Sequence, residues 1–114
     1  MCHVLVIEDD PIAAIDIHSI LKSAGATSFS FADTQADAVL SARKETPGVI
    51  ISDVMLSRGT GPGAVREIRA SLGALPVIFI TAVPDLCEEP NLAVLEKPFS
   101  SDQLVSAFQS ALLH

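Results

Sequence analysis

Short apolar segments alternate with segments of helical periodicity along this chain of 114 residues. Five segments, residues 3–7, 27–32, 49–53, 76–80 and 93–96, predict β-strands. The third reads Val-Ile-Ile-Ser-Asp and is apolar on both faces until it ends in a carboxylate. Runs of this kind are typical of strands in the middle of a parallel sheet that helices cover on both sides.

Apolar residues at helical spacing predict a helix after the first, second, third and fifth strands. Gly25 and Gly73 should end the first and third helices. After the fourth strand, Pro84 and Pro90 leave room for a turn or two at most, so a shortened or irregular fourth helix is expected there. The start signals are Asp10 with Pro11, Thr34 with Asp37, Pro62, and Ser100 with Gln103. The apolar stripe of the last helix is Leu104, Phe108, Ala111 and Leu112.

The alternation of strand and helix predicts a single α/β domain over residues 1–114, in which right-handed crossovers place helices on both faces of a parallel sheet. All strands of such a sheet point the same way, so the polar groups that follow four of them should meet at one edge. Those groups are Glu8 with Asp9 and Asp10, then Asp53, Thr81 and Lys97.

Composition and charge narrow the possible partners. The formal net charge is −7 at pH 7, and nucleic-acid binding requires clustered Lys and Arg, so no direct contact with nucleic acid is expected. No apolar run approaches membrane-spanning length, and the N-terminus reads as a strand, so we expect a cytoplasmic location without membrane contact. Cys2 and Cys87 are interpreted as free thiols.

The polar groups at the sheet edge suit phosphoryl transfer to a carboxylate. Carboxylates that lie close together raise one another's pKa values, and a divalent cation such as Mg²⁺ relieves that repulsion. Asp53 can then act as the nucleophile, while the metal and Lys97 neutralise the phosphoryl oxygens and Thr81 offers a hydroxyl. Each residue alone has a simpler interpretation, and for Asp10 the simpler one, a helix cap, is preferred.

Motifs at the strand ends together resemble the receiver domain of two-component response regulators, over the whole chain. They are Val6-Ile7-Glu8-Asp9-Asp10-Pro11, Ile51-Ser52-Asp53-Val54-Met55-Leu56, Gly61, Ile80-Thr81-Ala82 and Glu96-Lys97-Pro98-Phe99. The resemblance implies a flavodoxin-like (βα)5 doubly wound parallel sheet with strand order 2-1-3-4-5. It also implies a cis peptide bond between Lys97 and Pro98.

The resemblance further implies a metal site for Mg²⁺ (or Mn²⁺). In the family's pattern, Asp9 binds the metal directly and Glu8 binds it through water. Asp53 and the backbone carbonyl of Met55 complete the protein ligands. These roles are carried over by position and are expectations for this chain.

The resemblance also implies how the phosphoryl group is held and used. Asp53 is the phosphoacceptor, Lys97 pairs with a phosphoryl oxygen, and the Thr81 hydroxyl and the Ala82 N–H bind the attached group. The donor would be a histidine kinase or a histidine phosphotransfer protein. A stand-alone receiver would signal by contact with an unknown downstream protein or as a homodimer, and it catalyses only its own phosphorylation and dephosphorylation.

Three features depart from the family's pattern. Val94 stands where receivers usually have Tyr, Phe or His, and valine is too short and too stiff at χ1 to turn inward when the threonine moves. The interval between Thr81 and Lys97 is several residues shorter than usual, which puts the usual signalling face in doubt. Ser57 stands where proline is common.

Two further predictions come from the residues that follow Asp53 and Thr81. Met55 lies two residues after Asp53, and Val83 lies two residues after Thr81. Neither apolar side chain can position a water, so the aspartyl phosphate should be relatively long-lived. The run Arg58-Gly59-Thr60-Gly61 lacks the Gly-Lys-Ser/Thr ending of a P-loop and is interpreted as a flexible connection.

Three alternative functions remain open. A pseudo-receiver would keep the fold as a phosphorylation-independent interaction module. Val94 and the shortened fourth helix favour it, and the intact Asp9, Asp53, Thr81 and Lys97 oppose it. A hydrolase with an Asp nucleophile needs a second carboxylate two residues later, where Met55 stands. A flavin-binding domain needs a first loop that binds phosphate, and Glu8-Asp9-Asp10 would repel one unless a metal intervened.

Overall fold

A computed structural model describes residues 2–84 and 92–113 as a five-stranded sheet with helices on both faces. All four strand pairs are parallel, and the strand order is β2-β1-β3-β4-β5, which confirms the predicted flavodoxin-like topology. The elements are β1 (His3–Ile7), α1 (Pro11–Ser23), β2 (Ser28–Ala32), α2 (Gln35–Lys44), β3 (Val49–Asp53), α3 (Gly61–Leu72), β4 (Val77–Thr81), β5 (Ala93–Glu96) and α4 (Ser101–Leu112).

The helix predicted between β4 and β5 falls mostly on residues 85–91, which lie outside the described residues. Helix α4 is therefore the one predicted from Ser100. Cys87 also lies outside, while Cys2 is a free thiol. In the part of the chain that the structure describes, no helix is long and apolar enough to cross a membrane.

The strands send alternate side chains into two hydrophobic cores, one on each face of the sheet. Leu5 and Phe79 belong to the core that α2 and α3 cover. Val6 and Ile51 belong to the core that α1 and α4 cover. Because β1, β3 and β4 are buried on both faces, their apolar sequences hold the strand ends, and the residues that follow them, in fixed positions.

Three predicted helix caps are confirmed. The Asp10 carboxylate accepts a hydrogen bond from the N–H of Ile12 at 3.0 Å, as its interpretation as a cap requires. The Thr34 hydroxyl accepts from the N–H of Asp37 at 3.1 Å. Ser100 and Gln103 form a complete capping box at the start of α4. The short connections from β1 to α1 and from β5 to α4 are thus fixed by side chains that the sequence already identified.

Two details of the helices differ from the prediction. Helix α3 begins at Gly61 rather than Pro62, and its cap is the Thr60 hydroxyl, which accepts from the N–H of Gly63 at 3.0 Å. Leu112 was placed in the apolar stripe of α4, but it is 46% exposed. It lies in the last turn, beyond Phe108, where the helix no longer packs its whole apolar side on the sheet.

Candidate functional site

The ends of β1 and β3 bring two carboxylates side by side. Ile7 pairs with Ser52 in the parallel register, so the residues that follow them, Glu8 and Asp53, are neighbours at the sheet edge. The Lys97 ammonium donates a hydrogen bond to Glu8 Oε1 at 2.9 Å and to Asp53 Oδ2 at 3.2 Å. Residues at or directly after the ends of three different strands therefore meet at one point, as the strand directions predicted.

Burial and neighbouring charges shift the pKa values of Glu8 and Lys97 in this cluster. Burial raises the pKa of Glu8 and the nearby Asp53 carboxylate raises it further, to about 7, although Lys97 acts in the opposite direction. Burial lowers the pKa of Lys97, but the hydrogen bond and charge of Glu8, with the charge of Asp53, outweigh it and raise that pKa above its usual value. One lysine therefore neutralises two carboxylates incompletely, and the site favours additional positive charge.

The donor atoms of the cluster fit a hard divalent cation. Glu8, Asp9 and Asp53 each offer a carboxylate oxygen, and these three oxygens lie within 4.8 Å of one another. Oxygen ligands of this kind are what Mg²⁺ prefers, usually with several waters retained. Asp9 is exposed and Glu8 is buried, so the cluster is open on one side and anchored on the other.

Asp53 is both held and accessible. Its Oδ1 accepts a hydrogen bond from the N–H of Val54 at 2.8 Å, while its Oδ2 faces Lys97. The side chain is 15% exposed, so a small group in solution can reach it. Ser52, fully buried in β3, donates its hydroxyl to the Asp53 carbonyl at 2.8 Å and fixes the end of the strand.

Thr81 and Ala82 lie at the end of β4, the strand next to β3. The buried Thr81 hydroxyl accepts a hydrogen bond from the N–H of Val83 at 3.1 Å, and Ala82 is exposed. The Thr81 carbonyl accepts from the backbone N–H of Lys97 at 2.8 Å, and the Lys97–Pro98 peptide bond is cis, as expected. The backbone of β4 therefore helps to place the lysine.

No aromatic ring occupies the position of Val94. This residue lies in β5, pairs with Phe79 in the register, and is 36% exposed. Phe99, the nearest aromatic residue in sequence, packs against the core that α1 and α4 cover. In this structure Phe99 contributes to the core and does not replace the missing surface ring.

The loop from Met55 to Thr60 is more constrained than the predicted flexible connection. Met55 and Thr60 form an isolated antiparallel bridge, and the N–H of Gly61 donates to the Val54 carbonyl at 2.9 Å. The Met55 side chain is apolar but 58% exposed, so it belongs to neither hydrophobic core. Sequence reasoning also missed Gln35, whose side chain contacts this loop.

The fold is a doubly wound α/β domain with an acidic cluster and a carboxylate–lysine contact at one edge of its sheet, and the comparisons with known proteins identify its family. A family model described as the response regulator receiver domain matches residues 4–109. The chain belongs to this family, which confirms the resemblance drawn from the strand-end motifs. It is a receiver domain of the kind found in two-component systems, and such domains are regulatory rather than turnover enzymes.

Relatives with known names agree with this assignment. The chain is 33% identical, over 96% of its length, to the phyllosphere-induced regulator PhyR of Methylorubrum extorquens, and it spans 43% of that protein. It is 32% identical, over 96% of its length, to the transcriptional regulatory protein PdtaR of Mycobacterium tuberculosis, of which it spans 56%. The chain thus spans about half the length of these curated relatives.

Solved structures show the same fold. The PhyR receiver domain of Erythrobacter litoralis superposes with a TM-score of 0.88 at 30% identity, covering 98% of this chain and 90% of that one. The receiver domain of the sensor histidine kinase PA1611 from Pseudomonas aeruginosa also gives 0.88, at 27% identity, covering 99% and 98%. That second structure has a magnesium ion coordinated in its active-site cleft.

Proposed function

We propose that this receiver domain accepts a phosphoryl group on Asp53 in a Mg²⁺-dependent reaction. The observation that carries the proposal is the position of Lys97, whose ammonium lies between Glu8 and Asp53 at 2.9 and 3.2 Å. A structural ion pair needs one carboxylate, whereas Lys97 contacts two, and an oxygen of a third carboxylate, Asp9, lies within 4.8 Å of theirs. Such an excess of negative charge suits a site that receives a metal and then a phosphoryl group.

In the proposed reaction, an Asp53 oxygen attacks the phosphorus atom of a phosphohistidine. The new O–P bond forms as the P–N bond breaks, and the electron pair leaves with the imidazole of the donor. The N–H of Val54, 2.8 Å from Oδ1, holds the carboxylate in one orientation. Lys97 follows the developing charge from the Asp53 carboxylate onto a phosphoryl oxygen, and the Thr81 hydroxyl and the Ala82 N–H bind the transferred group.

The proposed metal ligands are the carboxylates of Glu8, Asp9 and Asp53 and the backbone carbonyl of Met55. When bound, Mg²⁺ (or Mn²⁺) supplies positive charge to the phosphoryl oxygens. The raised pKa of Glu8, about 7, fits this assignment, because a cation nearby would stabilise its charged form.

The proposed donor is a histidine kinase or a histidine phosphotransfer protein, since Asp53 requires an activated phosphoryl group. The proposed output is a protein–protein contact, either with a downstream protein or within a homodimer. One structural relative, 31% identical, is described as the anti-anti-sigma factor PhyR from Bartonella quintana, and this chain covers 48% of it. By analogy with that relative, one candidate for the output of this domain is the control of a sigma factor through protein–protein contacts.

A pseudo-receiver is the second candidate function. Val94, which is valine where receivers usually carry an aromatic residue, favours it. In that case the fold would bind a partner without phosphorylation. The intact cluster of Glu8, Asp9, Asp53 and Lys97 favours phosphorylation instead, because an interaction module has no need to keep a buried carboxylate beside two others.

The experiment that separates the two functions is intact mass measurement after incubation with acetyl phosphate and Mg²⁺. We expect a gain of one phosphoryl group that disappears with EDTA and in the Asp53→Asn variant. If the wild-type protein gains no phosphoryl group under conditions that phosphorylate an ordinary receiver, phosphoryl acceptance is wrong and the pseudo-receiver is favoured.

A further inference from the structure

Alternate glycines in the segment from Gly59 to Gly63 form a slot for one side chain. A Cβ on Gly59 would lie 2.5 Å from both Cβ and Oε1 of Gln35, and one on Gly63 would lie 2.7 Å from Oε1 of the same residue. Gly59 also has a φ of 83°, which favours glycine. The glycine-rich run that resembled a phosphate-binding loop is thus filled by the Gln35 amide.

The Gln35 amide joins two elements on either side of this slot. Its Oε1 accepts a hydrogen bond from the backbone N–H of Thr60 at 3.0 Å, and its Nε2 donates to Glu67 Oε2 in α3 at 2.9 Å. The backbone N–H of Gln35 donates separately to the Arg58 carbonyl at 3.0 Å. One side chain therefore connects the start of α2 to the loop after β3 and to α3.

This contact leads directly to the proposed metal site. Thr60, which Gln35 holds, pairs with Met55 across the loop in an antiparallel bridge. The backbone carbonyl of Met55 is the proposed metal ligand from this loop. The position of that carbonyl relative to the Asp53 carboxylate therefore depends on where Thr60 is held.

We propose that Gln35 is a positioning residue for the metal site, acting through Thr60 on the Met55 carbonyl. This inference rests on the proposed function, because it assumes that the site binds Mg²⁺. The Gln35 amide does not cap α2, because the N-cap residue of that helix is Thr34. Its backbone hydrogen bond to Arg58 survives any side-chain change except proline, so replacing the amide alters the loop contact and leaves the start of α2 intact.

The test is the Mg²⁺ affinity of the Gln35→Met variant, in which a side chain of similar length lacks both amide hydrogen bonds. The chain contains no Trp and no Tyr, so affinity is read from backbone amide NMR signals during titration with magnesium chloride. We expect binding about 3-fold to 10-fold weaker than wild type, as loss of one or two half-exposed hydrogen bonds allows. The matched control is Gln109→Met, an exposed glutamine on α4, which should leave the affinity unchanged.

A charge-conserving exchange distinguishes positioning from general damage. In the double variant Gln35→Glu with Glu67→Gln, the new carboxylate can still accept from the Thr60 N–H, and the new amide can donate back to it. We expect this pair to recover most of the wild-type Mg²⁺ affinity. In a second variant, Gly63→Ala, the added methyl group would lie too close to the Gln35 amide, so Mg²⁺ binding should weaken as it does in Gln35→Met. Thermal unfolding of every variant shows which of them are folded.

The outcomes separate this inference from the proposed function. If wild-type protein binds Mg²⁺ and Gln35→Met binds it as tightly as Gln109→Met does, the positioning role is wrong and the proposed function stands. If wild-type protein binds Mg²⁺ but acetyl phosphate adds nothing to Asp53, phosphoryl acceptance is wrong, and the titrations still decide the role of Gln35. If wild-type protein binds no Mg²⁺, both proposals are wrong.

Discussion

The two sides of Asp53 differ in how many side-chain contacts hold them. Around the carboxylates, Lys97 donates hydrogen bonds to both Glu8 and Asp53, and the loop after β3 is closed by a backbone bridge and by Gln35. On the β5 side, the strand is largely exposed, and Val94 provides no ring that could move against Thr81. The side that holds charge is closed by side-chain contacts, while the side that usually transmits the signal in receivers is exposed.

This difference teaches that phosphorylation chemistry and signal transmission can vary separately in one domain. Accepting a phosphoryl group requires carboxylates, a cation and a fixed nucleophile. Here the carboxylates lie at the ends of the buried strands β1 and β3, and the lysine follows the exposed strand β5. Transmission requires an element with two alternative arrangements. The structure provides the carboxylates, the lysine and a held Asp53, so under the proposed function a changed output would not require a changed reaction.

The largest expected effect, on the side that holds charge, comes from Lys97→Met. Without the ammonium, the charge that develops on the phosphoryl oxygens is poorly stabilised, so phosphorylation by acetyl phosphate should slow by roughly 100-fold. Mg²⁺ affinity should be retained or rise, because a competing cation leaves the cluster. Phosphorylation is followed by mass, with exposed Lys22→Met on α1 as the matched control. A Lys97→Met rate equal to that of the control would contradict this role.

A second change tests how tightly the end of β3 is packed. A Cβ on Gly61 would overlap the Asp53 carbonyl, so Gly61→Ala should lower the free energy of unfolding by at least about 2 kcal/mol, measured by urea denaturation. Gly48→Ala is the control, because its Cβ would find its nearest atoms at 3.6 Å, an ordinary contact distance. Equal stability of the two variants would show that the backbone at the end of β3 can shift to accommodate the added methyl group.

The charged cluster should also make stability depend on pH. The folded-state pKa of Glu8, about 7, lies above its ordinary value of 4.5, so folded protein holds this proton more tightly than unfolded protein. Stability from this group is therefore full below about pH 4.5 and is lost as the pH rises through about 7. In EDTA at pH 8, Glu8→Gln should raise the melting temperature by roughly 5 °C.

The control for Glu8→Gln is the same comparison at pH 5, where wild-type Glu8 is largely protonated and the two proteins should melt at similar temperatures. Adding Mg²⁺ at pH 8 should stabilise the wild type more than the variant, because the wild type has the charged ligand. A difference in melting temperature that does not change with pH would mean that Glu8 titrates normally.

Much of the fold and the cluster could be predicted because they follow from local patterns. Strands that are apolar on both faces predict a parallel sheet, and parallel strands bring their ends together, which is why the sequence alone groups Glu8, Asp53 and Lys97. The caps at Asp10 and Ser100 were recognisable because capping uses residues a few positions apart.

The rest depends on contacts between residues distant in sequence. Gln35 reads as an ordinary first-turn helix residue, and nothing local indicates that it fills a slot between Gly59 and Gly63. The glycines themselves carry a signal, since their alternate spacing indicates a close approach, but the approaching group is not specified. Thr60 was missed as a cap because the glycine-rich run hides where α3 begins.

The smallest expected effect concerns the exposed β5 side. With beryllofluoride as a phosphoryl mimic, amide NMR shifts should be larger around Ser57 and from Thr81 to Val83 than in α4, because Val94 cannot carry a rearrangement outward. Val94→Tyr is the matched variant, since the partly exposed position in β5 has room for a ring. The tyrosine should extend the shifts into β5 and α4 only if the missing ring is what separates the two sides. Large wild-type shifts confined to α4 would contradict the separation, because they would show that signal reaches that face without an aromatic residue.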